Sequence, residues 1–254
     1  MRKKLIRQII FYCCLLILWQ ALSMLQLWPE YVFPSPQKVF LTLFSGLSDS
    51  TFSIAIAISL KRIFIGYGIS LVLGAILGLM MSKYKVIDDT LGGLILGLQA
   101  LPSICWLPLA LLWFGLNEKA IIFVVIMGAL FSITLAVDSG IRNIPRLYIK
   151  AGKNMGARNL TLFLEVMLPA SLPVIIPGLK QGWAFAWRSL MAGELLFVSM
   201  GLGYLLMMGR ELNDMSQVIA VMLSIAGISI MVDKLVFGQI ELNLRRKWGI
   251  ERNI

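Results

Sequence analysis

At 254 residues, with 59% hydrophobic and 14% charged side chains and a mean hydropathy of +0.85, the chain is too apolar for a water-soluble globule and requires a bilayer. The formal charge is +10 and there is no histidine, which removes imidazole zinc sites and histidine acid/base catalysis. Spans of about 20 residues leave room for about five to seven membrane helices. Six apolar runs follow in order, at roughly 6–28, 52–81, 90–114, 119–138, 174–198 and 216–238. The first has a basic start, as a secretory signal would, but it is long and lacks a small-residue cleavage site before Trp28, so it reads as a retained span. Cys13, Cys14 and Cys105 all lie in apolar runs and read as small hydrophobes.

The second run carries Gly66, Ser70, Gly74, Gly78 and Ser82, one small residue every four positions. On a helix these form a groove for close approach of another backbone, with packing inside this subunit favoured over a subunit interface. Lys61 and Arg62 read as interfacial. In the third run, LQALPSICWLPLALLWFG, Pro102 and Pro108 each remove a backbone donor, so this span is expected to be broken or kinked and to line a cavity or pack on protein.

The fifth run holds the costliest residues. With Lys180 at zero on a helical wheel, Gln181, Arg188 and Glu194 fall in one sector of about 140 degrees, at about 100 degrees per residue. Charge at bilayer depth must face protein or water, so this face should look inward. Two readings of Arg188 stay open: a fork of donors for an anionic solute in a translocation pathway, or a structural pair with a carboxylate of a neighbouring helix. Lys180 is near enough to the membrane surface to snorkel.

The basic residues fix an expected topology. Arg2, Lys3, Lys4, Arg7, Lys83, Lys85, Arg142, Arg146, Lys150, Lys153, Arg158, Arg245, Arg246, Lys247 and Arg252 fall on one side, against Lys38, Lys119 and Arg210 on the other. Six spans with this asymmetry put both termini and the 142–169 loop in the cytoplasm. The positive charge therefore reflects topology and anionic lipid headgroups, with no nucleic-acid partner expected.

The loop from Lys150 to Pro177 is basic and lies between two long apolar stretches. Asn143 is a candidate cap for a helix with Pro145 in its first turn. Gly156 can end that helix in the left-handed conformation, and a second short helix capped by Asn159 would run to Pro169. Ala151, Gly156 five residues on, then Val166, Leu168 and Pro169 resemble the cytoplasmic EAA loop of ABC importer permeases. SLKRIFIGY at 59–67, AWRSLMAGEL at 186–195, GLGYL at 201–205 and the third run with Trp113, Phe114 and Gly115 narrow the resemblance to the nitrate/sulfonate/taurine branch, over about residues 30–250.

The resemblance implies an all-α integral membrane permease, one domain over 1–254, with about six spans, both termini cytoplasmic, and a coupling-helix loop at 142–169 formed by Lys150, Ala151, Gly152, Met155, Gly156, Ala157, Leu168 and Pro169. It also implies a second permease copy, two ATPase subunits and a periplasmic or lipid-anchored binding protein, with this chain multi-pass in a bacterial cytoplasmic (inner) membrane. Lys150 stands where the family has glutamate, and Gly152 where it has a second alanine; the charge reversal suggests a partner surface adapted to it. Candidate pathway residues are Gln181, Arg188, Glu194, Pro102 and Trp113. No GxxxxGK[ST] phosphate loop occurs, so ATP and magnesium belong to the partner ATPase and this chain is expected to carry no cofactor, metal or catalytic residue. A neutral or vitamin-precursor solute is the alternative cargo. A stand-alone secondary carrier using Arg188, Glu194 and Asp138 as an ion relay is the rival class, against which stands the lack of an inverted repeat.

Overall fold

A computed structural model describes residues 2–196 and 200–247. Of the residues discussed above, Arg252 and the last positions of the fifth run, 197–198, lie outside the described residues, as do the side chains of Arg2, Lys3, Lys4, Arg245 and Lys247. Every element among the described residues is helical. Five helices are long and apolar enough to cross a membrane, and a bent pair makes a sixth.

The chain packs as two compact units, residues 1–59 with 194–227 and residues 60–193 with 228–254. The first unit holds α1 (Arg2–Met24), α2 (Pro36–Ser48), the start of α3 (Thr51–Lys83), α10 (Leu202–Glu211) and most of α11 (Met215–Val232). Ser35 caps α2 by accepting from the Lys38 N–H, and Pro36 occupies its first turn, where a missing donor costs nothing. The Trp19 indole N–H donates to the Pro34 carbonyl at 3.1 Å and ties α1 to the start of α2.

The second unit is built around α6 (Glu118–Arg142), whose interior face is almost wholly buried. The small-residue stripe of α3 packs on it: an added Cβ would come within 2.6 Å of Val125 at Gly66, 2.8 Å of Ile133 at Gly74 and 2.5 Å of the Thr134 carbonyl at Gly78. Ser70 Oγ donates across the same seam to the Ile126 carbonyl. The stripe therefore serves packing within the subunit. α9 (Leu168–Leu196) lies against α6 at Gly178 over Ala136 and at Ser189 beside Gly128.

The third run is broken. α4 (Lys85–Gln99) is followed by a 3-10 turn, Ser103–Trp106, and by α5 (Leu107–Phe114), with a bend of 107° at the break. Pro102 heads the 3-10 turn in an extended-type conformation. Pro108 breaks nothing; it sits in the first turn of α5, where its ring is tolerated. Met81, Ile95 and Phe131 form the buried centre joining α3, α4 and α6, with Leu98, Trp106 and Met127 packed around it.

Arg62 is not a free surface cation. It is 2% exposed and pairs at 3.2 Å with the half-exposed Glu118 in the first turn of α6, because a guanidinium withdrawn from solvent requires a partner. Lys180 likewise meets Asp233, at 2.7 Å, where a π turn (Asp233–Phe237) leads from α11 into α12 (Gly238–Lys247).

Candidate functional site

Two features stand apart from the packed helices: an exposed helical loop and a cavity at the helix break. The loop begins where α6 ends. Asn143 caps nothing at the start of the next helix; α6 runs on through the i, i+4 pair Asp138 and Arg142, and Asn143 closes it with its own N–H on the Ser139 carbonyl. α7 (Arg146–Asn154) is headed by Pro145 without a side-chain cap. At its end Gly156 takes φ +88°. The Ala157 N–H donates to the Gly152 carbonyl and the Gly156 N–H to the Lys153 carbonyl, both at 3.0 Å, the paired bonds of a Schellman stop.

α8 (Asn159–Leu162) follows an extended Arg158. Asn159 is not its side-chain cap; it is the first helical residue, at φ +46°, a conformation asparagine tolerates better than most. Nor does this second helix end at Pro169. A π turn, Phe163–Met167, carries it directly into α9, giving one 38-residue helix from Asn159 to Leu196. The wider turn shifts the hydrogen-bond register just before the proline ring removes a donor.

α7 rests on this helix through Gly152. A Cβ there would lie 2.8 Å from Val166 and 3.1 Å from Leu162, which accounts for glycine at this position. Apolar side chains of the loop are exposed around this contact: Leu147 is 72%, Met155 87% and Leu160 68% exposed. Lys150, Ala151 and Gly156 are exposed beside them, with Ala157, Leu168 and Pro169 partly covered. An exposed apolar face on a rigid two-helix knob is the form expected of a docking element.

The cavity has a volume of about 370 Å³ and lies wholly in the second unit. Leu98, Gln99, Pro102 and Ser103 from the break, Met127 and Phe131 from α6, and Phe185 and Arg188 from α9 line it. The Arg188 guanidinium carbon lies 5.2 Å from the Phe185 ring centroid. Among the described residues no carboxylate lies within ion-pair distance of Arg188. Pro102 and Arg188 thus share one site.

The other sequence candidates lie elsewhere. Trp113, at the end of α5, packs edge-on against Phe123 at 5.6 Å, and Gln181 is exposed away from the cavity. Glu194 belongs to the first unit, fully buried against Ser59 and the start of α10. Gln99 and Ser103 complete the polar lining and were not singled out from the sequence, although they flank the break as isolated polar residues in an apolar run. Among the described residues no three His, Cys, Asp or Glu side chains converge as metal ligands.

A guanidinium, an amide and a hydroxyl around a largely apolar hollow can hold a small anion by charge-assisted hydrogen bonds. The chain is also similar to known proteins. Residues 70–247 match the family of binding-protein-dependent transport system inner membrane components. The taurine transport system permease protein TauC of Escherichia coli is 27% identical over 86% of this chain and 82% of its own length. The nitrate import permease protein NrtB of Synechocystis is 26% identical over 92% of this chain and 87% of its own. The MetNI methionine ABC transporter, solved in inward facing conformations, shares the fold, with a TM-score of 0.63 at 17% identity over 73% of this chain and 92% of that one. The chain therefore belongs to the binding-protein-dependent transport system inner membrane components, as a multi-pass ABC transporter permease of the cytoplasmic membrane.

Proposed function

We propose that this permease forms, as a homodimer, the translocation pathway of an ATP-driven importer for a small anionic solute of the nitrate, sulfonate, taurine or bicarbonate type. Two separate ATPase subunits carry ATP and magnesium and dock on the α7–α8 knob, and a periplasmic or lipid-anchored binding protein delivers the solute from the other side. The termini and the knob face the cytoplasm. ATP binding draws the ATPases together, the knob moves with them, and the spans turn the cavity at the helix break outward to receive solute; hydrolysis resets it.

One observation carries the anionic reading: Arg188 faces a cavity, with no carboxylate within ion-pair distance among the described residues. A membrane-embedded guanidinium held only against an aromatic ring retains donors for an incoming anion. Names of relatives that import taurine and nitrate agree with it.

The test is reconstitution of the purified assembly in liposomes with a panel of labelled nitrate, taurine, bicarbonate and a neutral pyrimidine. ATP-dependent uptake of one of the anions supports the reading. Uptake of the neutral compound alone rejects an anionic cargo, and uptake driven by an ion gradient without a copurifying ATPase rejects an ABC importer.

A further inference from the structure

The root of the knob is held by one side chain. Arg142 is the last residue of α6, immediately before the knob, and its guanidinium uses three nitrogens at once. Nε donates to Asp138 at 2.6 Å within its own helix, and Nη1 donates to Asp88 in the first turn of α4 at 2.7 Å. Nη2 lies 2.6 Å from the other Asp88 oxygen and donates at 2.9 Å to the Met81 carbonyl in the last turn of α3. The Asp88 contact is therefore a two-pronged fork, which fixes orientation as well as distance. The Met81 carbonyl is one of those a helix end leaves without an internal partner.

Beyond the clamp the same helices are packed without interruption up to the cavity. Ile87 and Leu91, on the turns of α4 next to Asp88, lie against the Met81, Ile95 and Phe131 centre. Leu98, Trp106 and Met127 pack on that centre from above and themselves line the cavity beside Pro102. α4 is a rigid 15-residue rod whose lower end is fixed to the root of the knob and whose upper end is the break.

We infer that Arg142 is a positioning residue for transport: by clamping α4 to the end of α6, it makes movement of the docked knob displace the helix break and so reshape the solute cavity. This rests on the importer reading above. Surface ion pairs that only add stability are worth little, and an exposed pair of that kind would not need a fork plus a helix-end carbonyl. A plain route of packed groups between two sites is a physical basis for coupling only if both ends move together.

Cys105 supplies the reporter. It is an exposed thiol in the 3-10 turn at the break, and replacing Cys13 and Cys14 by serine leaves it the sole cysteine. The experiment measures the maleimide labelling rate of Cys105 in the complete complex with its ATPase, with and without a non-hydrolysable ATP analogue, alongside ATP hydrolysis. The parent complex should show a several-fold rate change on adding the analogue. Arg142→Gln and Asp88→Asn should retain the ATPase and its hydrolysis while that change disappears. Arg142→Lys should restore part of it, and Asp138→Asn, which touches only α6, should leave most of it.

An undiminished rate change in an assembled Arg142→Gln or Asp88→Asn complex would overturn the inference, as would no rate change in the parent. If Arg142→Gln fails to assemble, Asp88→Asn decides, because Arg142 keeps its Asp138 partner there. Failure of any ATPase to copurify with the parent chain would instead sink the importer reading.

Discussion

Ser59 Oγ lies 2.8 Å from each carboxylate oxygen of Glu194, and both residues are completely buried. The Leu202 N–H donates to Ser59 Oγ and the Gly203 N–H to Glu194, each at 2.9 Å. These are the first two N–H groups of α10, which a helix cannot satisfy internally. Glu194→Ala strands the buried Gly203 N–H and the Ser59 hydroxyl and should cost on the order of 1–3 kcal/mol, and Ser59→Ala, which strands the Leu202 N–H, somewhat less. The check is the melting temperature of the purified complex; an unchanged value for Glu194→Ala would show that water replaces the carboxylate without loss.

Arg188→Gln should leave the complex assembled and its melting temperature near that of the parent, because no carboxylate within the described residues is left unpaired. Uptake should fall by roughly 5- to 150-fold, matching about 1–3 kcal/mol of lost charge-assisted bonding. Arg188→Lys should recover part of it. Loss of the folded complex would mean that the arginine holds the helices together.

Gly156→Val places a β-branched residue at φ +88°, a conformation costing on the order of 1 kcal/mol or more. An added Cβ meets nothing within 4 Å, which leaves the backbone conformation as the main source of strain. The variant should insert normally yet lose ATPase docking or solute-stimulated hydrolysis. Normal coupled hydrolysis would remove Gly156 as the fixed corner of the knob.

Single cysteines at Ser35, Asn117 and Asn213 in a cysteine-free background should react with an impermeant reagent from outside, and those at Ser82, Asn154 and Asn243 should not. External labelling at Asn154 would put the knob on the wrong face of the membrane for an ATPase.

The apolar runs announced the spans because membrane helices carry their burial signal in composition, and Pro102 announced the break because it removes a donor that lipid cannot replace. Gly156 was legible for the same local reason: few residues accept its conformation. Pairings remote in sequence were not. Arg62 with Glu118, Lys180 with Asp233 and Glu194 with Ser59 become partners only once helices are placed side by side. Asn143 and Asn159 looked like caps because asparagine commonly is one; the continuation of α6 past its apolar stretch took the first, and a left-handed start to α8 took the second. α2 and α10 are too short to register as apolar runs. In the cavity, Arg188 stood out by its charge, whereas Gln99 and Ser103 acquired meaning only when the bend turned them toward it.

The passage of α8 through a π turn into α9 has a mechanical consequence. Because Asn159–Leu196 is a single helix, the second half of the knob is the protruding handle of a lever whose blade carries Arg188. At about 1.5 Å of rise per residue, Arg188 sits roughly 40 Å along that lever from Asn159. A tilt of about 5° around the handle end would sweep the guanidinium sideways by about 3–4 Å over that length. That is comparable to the reach of a hydrogen bond, so on the importer mechanism proposed above a small tilt of this helix would bring the guanidinium to, or take it from, a bound anion.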